Sequence, residues 1–343
     1  MSASPTSVQG PDTATDAFAE RVMKAVTLDR YGPPEVLKLA DIPRPEPSAG
    51  EVLVEVRAAS VNAGDWHLMR GEPFVVRLMF GLTKPKVRVL GTDVAGRVLA
   101  LGPGVTRFRV GDEVFGDLSA SGFGSFAEAA TAAEDALVLK PVNLSFADAA
   151  AVPSAGLTAL QGLRKHGGLK AGQRVLVTGA SGGVGGFAVQ LAHAFGAEVT
   201  ALSSASKAGY VSSLGANQVL DYRKQDVTRL PERFDLILDA AAFRPPRDYA
   251  RILSQQGRYV LVGGASRWLF QVMLFGRFLA RGSQQFKTFI AKPVQDDLLL
   301  LHDLLETGKL KPAIDKSFPL AETAEAVRAL ESRQVRGKVV VTV

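Results

Sequence analysis

The sequence predicts an α/β protein in two parts, a β-rich domain followed by a doubly wound parallel sheet. Three observations carry this. Up to about residue 140 short apolar runs are broken by glycine and proline, which is the pattern of strands and turns. Beyond residue 150 continuous apolar strands alternate with helices, as in a parallel sheet covered on both faces. Between them lies "VLVTGASGGVGGFAVQLAHAFGAEVTALSSASK", Val175 to Lys207, where a strand enters a glycine turn and leaves as a helix.

Residues 1–22 are rich in Ser, Thr, Ala and Asp, lack an apolar core and hold one arginine, Arg21. They read as a disordered tail rather than a leader peptide, with Met23 as the natural beginning. From Lys24 to about Lys140, "EVLVEVRAASV" and "DVAGRVLALGPGVTRFRVGDEVFG" give the strands of a compact barrel-like domain. "LSFADAAAVPSAGLTALQGL" reads as two helices parted at Pro153. Strands "RVLVTG", "EVTALS", "QVLDY", "FDLILDAA" and "GRYVLVGG" come next, with a helix expected from Pro245-Pro246 to Gly257. The closing strand "KVVVTV" is too well formed for a tail and is expected to complete the first domain.

With 343 residues, 47% hydrophobic and 22% charged, the chain has the composition of an ordinary globular protein. It contains no cysteine, which excludes disulfides, thiolate metal sites and a cysteine nucleophile. That composition and the absence of a leader pattern point to a cytoplasmic location. The charge of +6 is scattered, so no nucleic-acid partner is expected. The apolar stretch "WLFQVMLFGRFLARG" is too short and too often interrupted to span a bilayer. The histidines at 67, 166, 193 and 302 have no metal-like spacing, and no metal is expected.

The glycine turn is the most specific signal. A helix N-terminus offers unpaired N–H groups and partial positive charge, and glycine lets a pyrophosphate approach them. Gly179, Gly182 and Gly185 have that spacing directly after a strand, and Ser181, Gly183 and Val184 complete the turn. On the helix after it Val184, Ala188, Leu191, Ala192 and Phe195 share one face, leaving Gln190 and His193 off it. The second strand ends in Ser203 and Ser204 where an acid would hold the ribose diol of NADH, with Lys207 and Tyr222 nearby. Hydroxyls and an ammonium suit the 2′-phosphate of NADPH, so NADPH is the expected cofactor. The alternative is that the serines cap the next helix and Lys207 is solvated.

These stretches, with "AASVNAGDWHLMRGEP", "VLGTDVAGRV", "VPSAGLTALQGL", "SLGANQVLDYRKQD" and "RGKVVVTV", carry a resemblance from about Met23 to the end. The sequence resembles the zinc-free quinone oxidoreductase branch of the medium-chain dehydrogenase/reductase superfamily, close to its reticulon-interacting-protein-like members. The resemblance implies a GroES-like catalytic domain (23–147 and 290–343), a Rossmann domain (148–289) and a homodimer. It also implies Asn62 and Thr158 beside nicotinamide and substrate, and Val262 and Gly263 beside the carboxamide. It further places Lys338, in "RGKVVVTV", at the cofactor. Zinc-dependent relatives have cysteine, histidine and cysteine near Asn62, Thr92 and Ser154, and none of the three is present here.

The resemblance and the glycine turn together imply an NADPH-dependent reductase that passes hydride to an apolar quinone or an α,β-unsaturated carbonyl without a Lewis acid. His67 stands where related reductases often have tyrosine, and it is either a proton donor or an exposed neighbour of Trp66. The apolar stretches at 72–89 and 266–286 suit either a pocket wall or a subunit interface. An enoyl-thioester reductase and a cofactor-binding interaction or sensor protein remain open alternatives.

Overall fold

The fold is taken from a computed structural model that describes residues 22–343, so the expected tail lies outside the described residues except for Val22, which opens the first strand. Strands β1 (Val22–Leu28) and β2 (Leu37–Pro43) form an antiparallel pair. The long β3 (Glu51–Val61) is buried along most of its length because it has neighbours on both sides. Its sheet runs β14 (Ile314–Pro319), β15 (Lys338–Thr342), β3, β4 (Asp93–Leu101), β5 (Glu113–Asp117) and β7 (Leu137–Leu139), and β6 (Ala129–Ala133) also pairs with β3. Val52, Val54, Val94, Val114 and Leu137 fill one side of it. Gly96 is required where β4 crosses β3, since a Cβ there would lie 1.9 Å from the Glu55 carbonyl oxygen.

Two helices follow β3 and β4 comes after them: α1 (Ala63–Arg70), stopped by left-handed Gly71 at φ 62°, and α2 (Phe74–Phe80). Next come α3 (Phe146–Ala150), capped by the Ser145 hydroxyl, and α4 (Pro153–Gln161), which carries Pro153 at its first position. The second sheet is wholly parallel, in the order β10 (Gln218–Asp221), β9 (Glu198–Ser203), β8 (Arg174–Thr178), β11 (Phe234–Asp239), β12 (Leu253–Leu261) and β13 (Gln285–Thr288). The order reverses between β8 and β11, which opens a crevice at their carboxyl ends. Helices α5 (Gly183–Ala194), α6 (Ala208–Ser213), α7 (Pro246–Tyr249), α8 (Ser266–Leu279), α9 (Gln295–Glu306) and α10 (Thr323–Glu331) complete the chain.

One hydrophobic core joins the two sheets. Ala58, Phe115 and Val340 of the first pack with Leu157 and Leu160 of α4 and with Val175 and Leu236 of the second. A fully buried leucine contributes about 1.5–3 kcal/mol, so α4 works as a wedge that holds the crevice against the first sheet.

Two expectations need correction. The helix begun by Pro245-Pro246 lasts only through Tyr249, and Gly257 lies inside β12. There the register with β11 shifts, and a Cβ on Gly257 would sit 3.0 Å from the Phe234 oxygen; the glycine accommodates a bulge rather than ending a helix. Gln190 is off the apolar face yet buried, because its amide bonds both backbone groups of Lys311, at 2.8 and 3.0 Å. His193 is exposed.

Candidate active site

The glycine turn has a distinct task for each glycine. Gly179 leaves β8 in the left-handed region at φ 64°. At Gly185 a Cβ would lie 2.2 Å from the Gly179 oxygen, so only glycine lets α5 start this close to the strand. At Gly182, the residue before α5, a Cβ would meet only the Gly179 oxygen, at 3.4 Å, and the first N–H groups of the helix follow directly. The C-terminal segment docks on the same turn, with Gly337 N donating to Ser181 O at 2.8 Å.

A cleft of about 560 Å³ runs from this turn between the two sheets. It gathers Asn62, His67, Gly179, Ser181, Gly182, Gly183, Val184, Gly185, Ser203, Ser204, Lys207, Tyr222 and Lys338. Three expected residues are not in its wall. The Thr158 hydroxyl donates to Ser154 O of its own helix at 2.7 Å. Val262 N is bonded to Asp239 O, and Gly263 packs closely against Ala240.

At one end of the cleft β9 finishes in buried Ser203 and Ser204, with no carboxylate. Ser203 Oγ donates to Ser204 O at 3.0 Å, and Ser204 Oγ pairs with Ser206 Oγ at 3.1 Å. Lys207 Nζ donates to Val335 O at 2.9 Å, and desolvation lowers its pKa. Tyr222 stacks on Phe243. Arg333, held in the left-handed region at φ 57°, also lines this end and forms no ion pair among the described residues. The sequence reading missed it; its signal was the basic run "SRQVRGK" before the last strand. Glu331 is in the wall too, but Arg70 pairs with it at 2.5 and 3.0 Å, so its charge is met.

The other end is a buried polar network. Asn62 stands before α1 and its N–H donates to Asp65 Oδ2 at 2.7 Å. Its Nδ2 donates to Asp93 Oδ2 at 2.9 Å and to Thr92 Oγ1 at 3.3 Å, and its Oδ1 accepts from Lys338 Nζ. Lys338 also pairs with Asp93 at 3.2 Å. Asp93 receives Ser60 Oγ at 2.5 Å and Ser154 N at 2.8 Å. Ser154 Oγ joins Thr92 Oγ1 and donates to Asp117 Oδ2 at 2.8 Å. Burial pushes the Asp65 carboxyl up to about 7, and burial with neighbouring Asp93 raises Asp117. Asp65 thus anchors the loop before α1 and Asp93 the network.

The positions that correspond to zinc ligands in the zinc-dependent relatives do converge. They bring an amide and two hydroxyls, hydrogen-bonded in series, with the Lys338 ammonium beside them. No group of three or more His, Asp or Glu placed to hold a metal occurs among the described residues. This donor set does not fit zinc, which takes nitrogen, sulfur and carboxylate ligands.

His67 stacks on Trp66, and its Nδ1 lies 2.7 Å from Glu72 O. A carbonyl only accepts, so Nδ1 carries the proton and Nε2 is the acceptor in the neutral ring. Desolvation lowers its pKa below the ordinary 6.5.

A parallel sheet with a phosphate-binding turn at its switch point, and a cleft shared with a second sheet, define a dinucleotide-dependent oxidoreductase. Residues 48–142 match the family described as alcohol dehydrogenase GroES-like domain, and residues 214–341 that described as zinc-binding dehydrogenase. The chloroplast envelope quinone oxidoreductase homolog of Arabidopsis thaliana is 34% identical over 94% of this chain and 99% of its own. The chloroplastic NADPH-dependent alkenal/one oxidoreductase of the same plant is 34% identical over 96% and 82%. A solved quinone oxidoreductase from Coxiella burnetii superposes with a TM-score of 0.81 at 32% identity, covering 94% of this chain and 99% of that one. The chain belongs to the medium-chain dehydrogenase/reductase superfamily, in its quinone oxidoreductase branch.

Proposed function

We propose that the protein is an NADPH-dependent reductase of quinones and α,β-unsaturated carbonyls that needs no metal. The observation that carries this reading is the cleft itself. A glycine turn lies along it, its adenosine end has hydroxyls and cations at the end of β9, and its reacting end has an amide–ammonium network in place of zinc ligands. The names of the quinone and alkenal/one oxidoreductases support the acceptor class.

The first N–H groups of α5 would hold the pyrophosphate, and Ser203, Ser204, Lys207, Tyr222 and Arg333 the 2′-phosphorylated adenosine. Bound there, the dinucleotide supplies a hydride. The protein's part is to stabilise the negative charge that then develops on the acceptor's oxygen. Lys338 has three N–H groups; Asn62 and Asp93 take two, which leaves one for that oxygen. Asn62, tied at both ends of its amide, fixes the ammonium's direction. His67, neutral at pH 7 with its proton given to Glu72 O, serves as an acceptor and flat wall, and the final proton comes from water.

A homodimer and a cytoplasmic location belong to the same proposal, the first supported by the family and the second by the cysteine-free composition. Light scattering and fractionation test them. Among the described residues no helix is long and apolar enough to cross a membrane. The activity is tested by absorbance at 340 nm with NADPH or NADH, a panel of quinones and enones, and EDTA. NADPH consumption insensitive to EDTA is the expected outcome. Turnover that EDTA abolishes and zinc restores, or NADPH binding with no acceptor reduced, overturns the reading.

A further inference from the structure

Two helices break the rule that a surface helix turns its polar face to water. On α2 the outward residues are Phe74, Leu78 and Met79, and on α8 they are Met273, Leu274 and Phe278. Phe278 is 78% exposed, and Phe74 and Leu274 are 64% exposed. Neither helix is in the wall of that cleft. Each begins close to it in the chain: α2 starts four residues after Arg70 and α8 two residues after Gly264, both of them cleft residues.

The charge around the two helices has one sign. Residues 73–92 hold four basic and no acidic residues, and residues 265–295 hold five and none. Arg88 is paired with Asp29. The cations of the second segment, Arg267, Arg277 and Arg281 among them, form no ion pair among the described residues. An outward apolar face flanked by unpaired arginine is the composition of a helix that lies in a membrane interface. At 14 residues α8 is far too short to span one.

We propose that the protein docks α8, with α2 as a second contact, on an anionic lipid bilayer surface, inserting Leu274 and Phe278 among the acyl chains while the arginines meet lipid phosphates. Charge decides against a second copy on this face, because self-pairing would set one unpaired cationic rim against another. Such docking would bring Arg70 and Gly264, the cleft residues that precede α2 and α8 in the chain, to the bilayer's side. That an apolar acceptor enters from there rests on the proposed function; lipid binding does not.

The test is co-sedimentation of the full chain with phosphatidylcholine vesicles, with and without phosphatidylglycerol. Binding to the anionic vesicles at least about tenfold above the neutral ones, weakened by salt, is expected. Phe278→Glu and the pair Arg277→Glu/Arg281→Glu each lower it about tenfold, with circular dichroism unchanged. Absence of binding to either vesicle, or equal binding by both variants, overturns the proposal. So does a dimer in light scattering that Leu274→Glu splits without any lipid binding, which would assign the face to a second copy. A failed reductase assay without vesicles would refute the activity alone and leave this result standing.

Discussion

Replacing Lys207 with methionine tests whether this end of the cleft receives the 2′-phosphate of NADPH. The ammonium now holds Val335 O at 2.9 Å and faces the cleft beside Ser203 and Ser204. A charge-assisted hydrogen bond is worth about 1.5–3 kcal/mol when desolvated. Lys207 is only partly buried, so solvent screening reduces this to about 1–1.5 kcal/mol. The kcat/KM for NADPH is therefore expected to fall about 5- to 12-fold while that for NADH holds. The assay is initial-rate oxidation of each cofactor with one quinone in excess, at low salt, repeated with Arg333→Met. Losing the Val335 contact alone would lower both cofactors equally. An equal fall, or no fall in either, refutes the assignment of this end of the cleft to a phosphate.

Lys338→Met leaves Asp93 buried with three neutral donors and is expected to cost about 3 kcal/mol by urea unfolding, whereas Lys338→Met with Asp93→Asn recovers most of it; additive losses would deny that the pair is coupled. Asp65 binds a proton more tightly folded than unfolded, its pKa rising from 3.8 to about 7, so stability should fall as pH climbs from about 4 to 7, by up to about 4 kcal/mol. Asp65→Asn removes that slope, and an unchanged slope would trace it to another group. Gly185→Ala puts a methyl 2.2 Å from the Gly179 oxygen; it should cost about 1–3 kcal/mol and abolish NADPH binding by calorimetry, and normal affinity would contradict the close packing of strand and helix.

The parts of the molecule written in local sequence were legible. Glycine spacing after an apolar strand marks the turn because a Cβ is sterically forbidden there, and β9 shows its missing acid at its last residues. The bulge at Gly257 was hidden, because a glycine after a proline-initiated helix has the same one-dimensional signature as a helix stop. Strand β13, "QFKT", is too short and polar to declare itself, and it is a strand because β12 offers it an edge. The network around Asn62 joins residues 62, 93 and 338, a pairing that no local pattern encodes. Arg333 was missed for the same reason: its place in the cleft comes from the docking of Gly337 on Ser181.

The placement of β15 between β14 and β3 sets a schedule for biosynthesis. Strand β3 is made early, yet the partner that covers its open edge, with Val339 opposite Val61, leaves the ribosome some 280 residues later. At about 5–20 residues per second that is a wait of roughly 15–55 s. During it the core around Leu28, Ala59 and Val61 lacks Val339 and Val341. The parallel sheet, contiguous from β8 to β13, can fold first and wait for β15. A nascent protein therefore holds its cofactor turn before it holds Lys338, and its cleft is complete only once β15 has paired with β3.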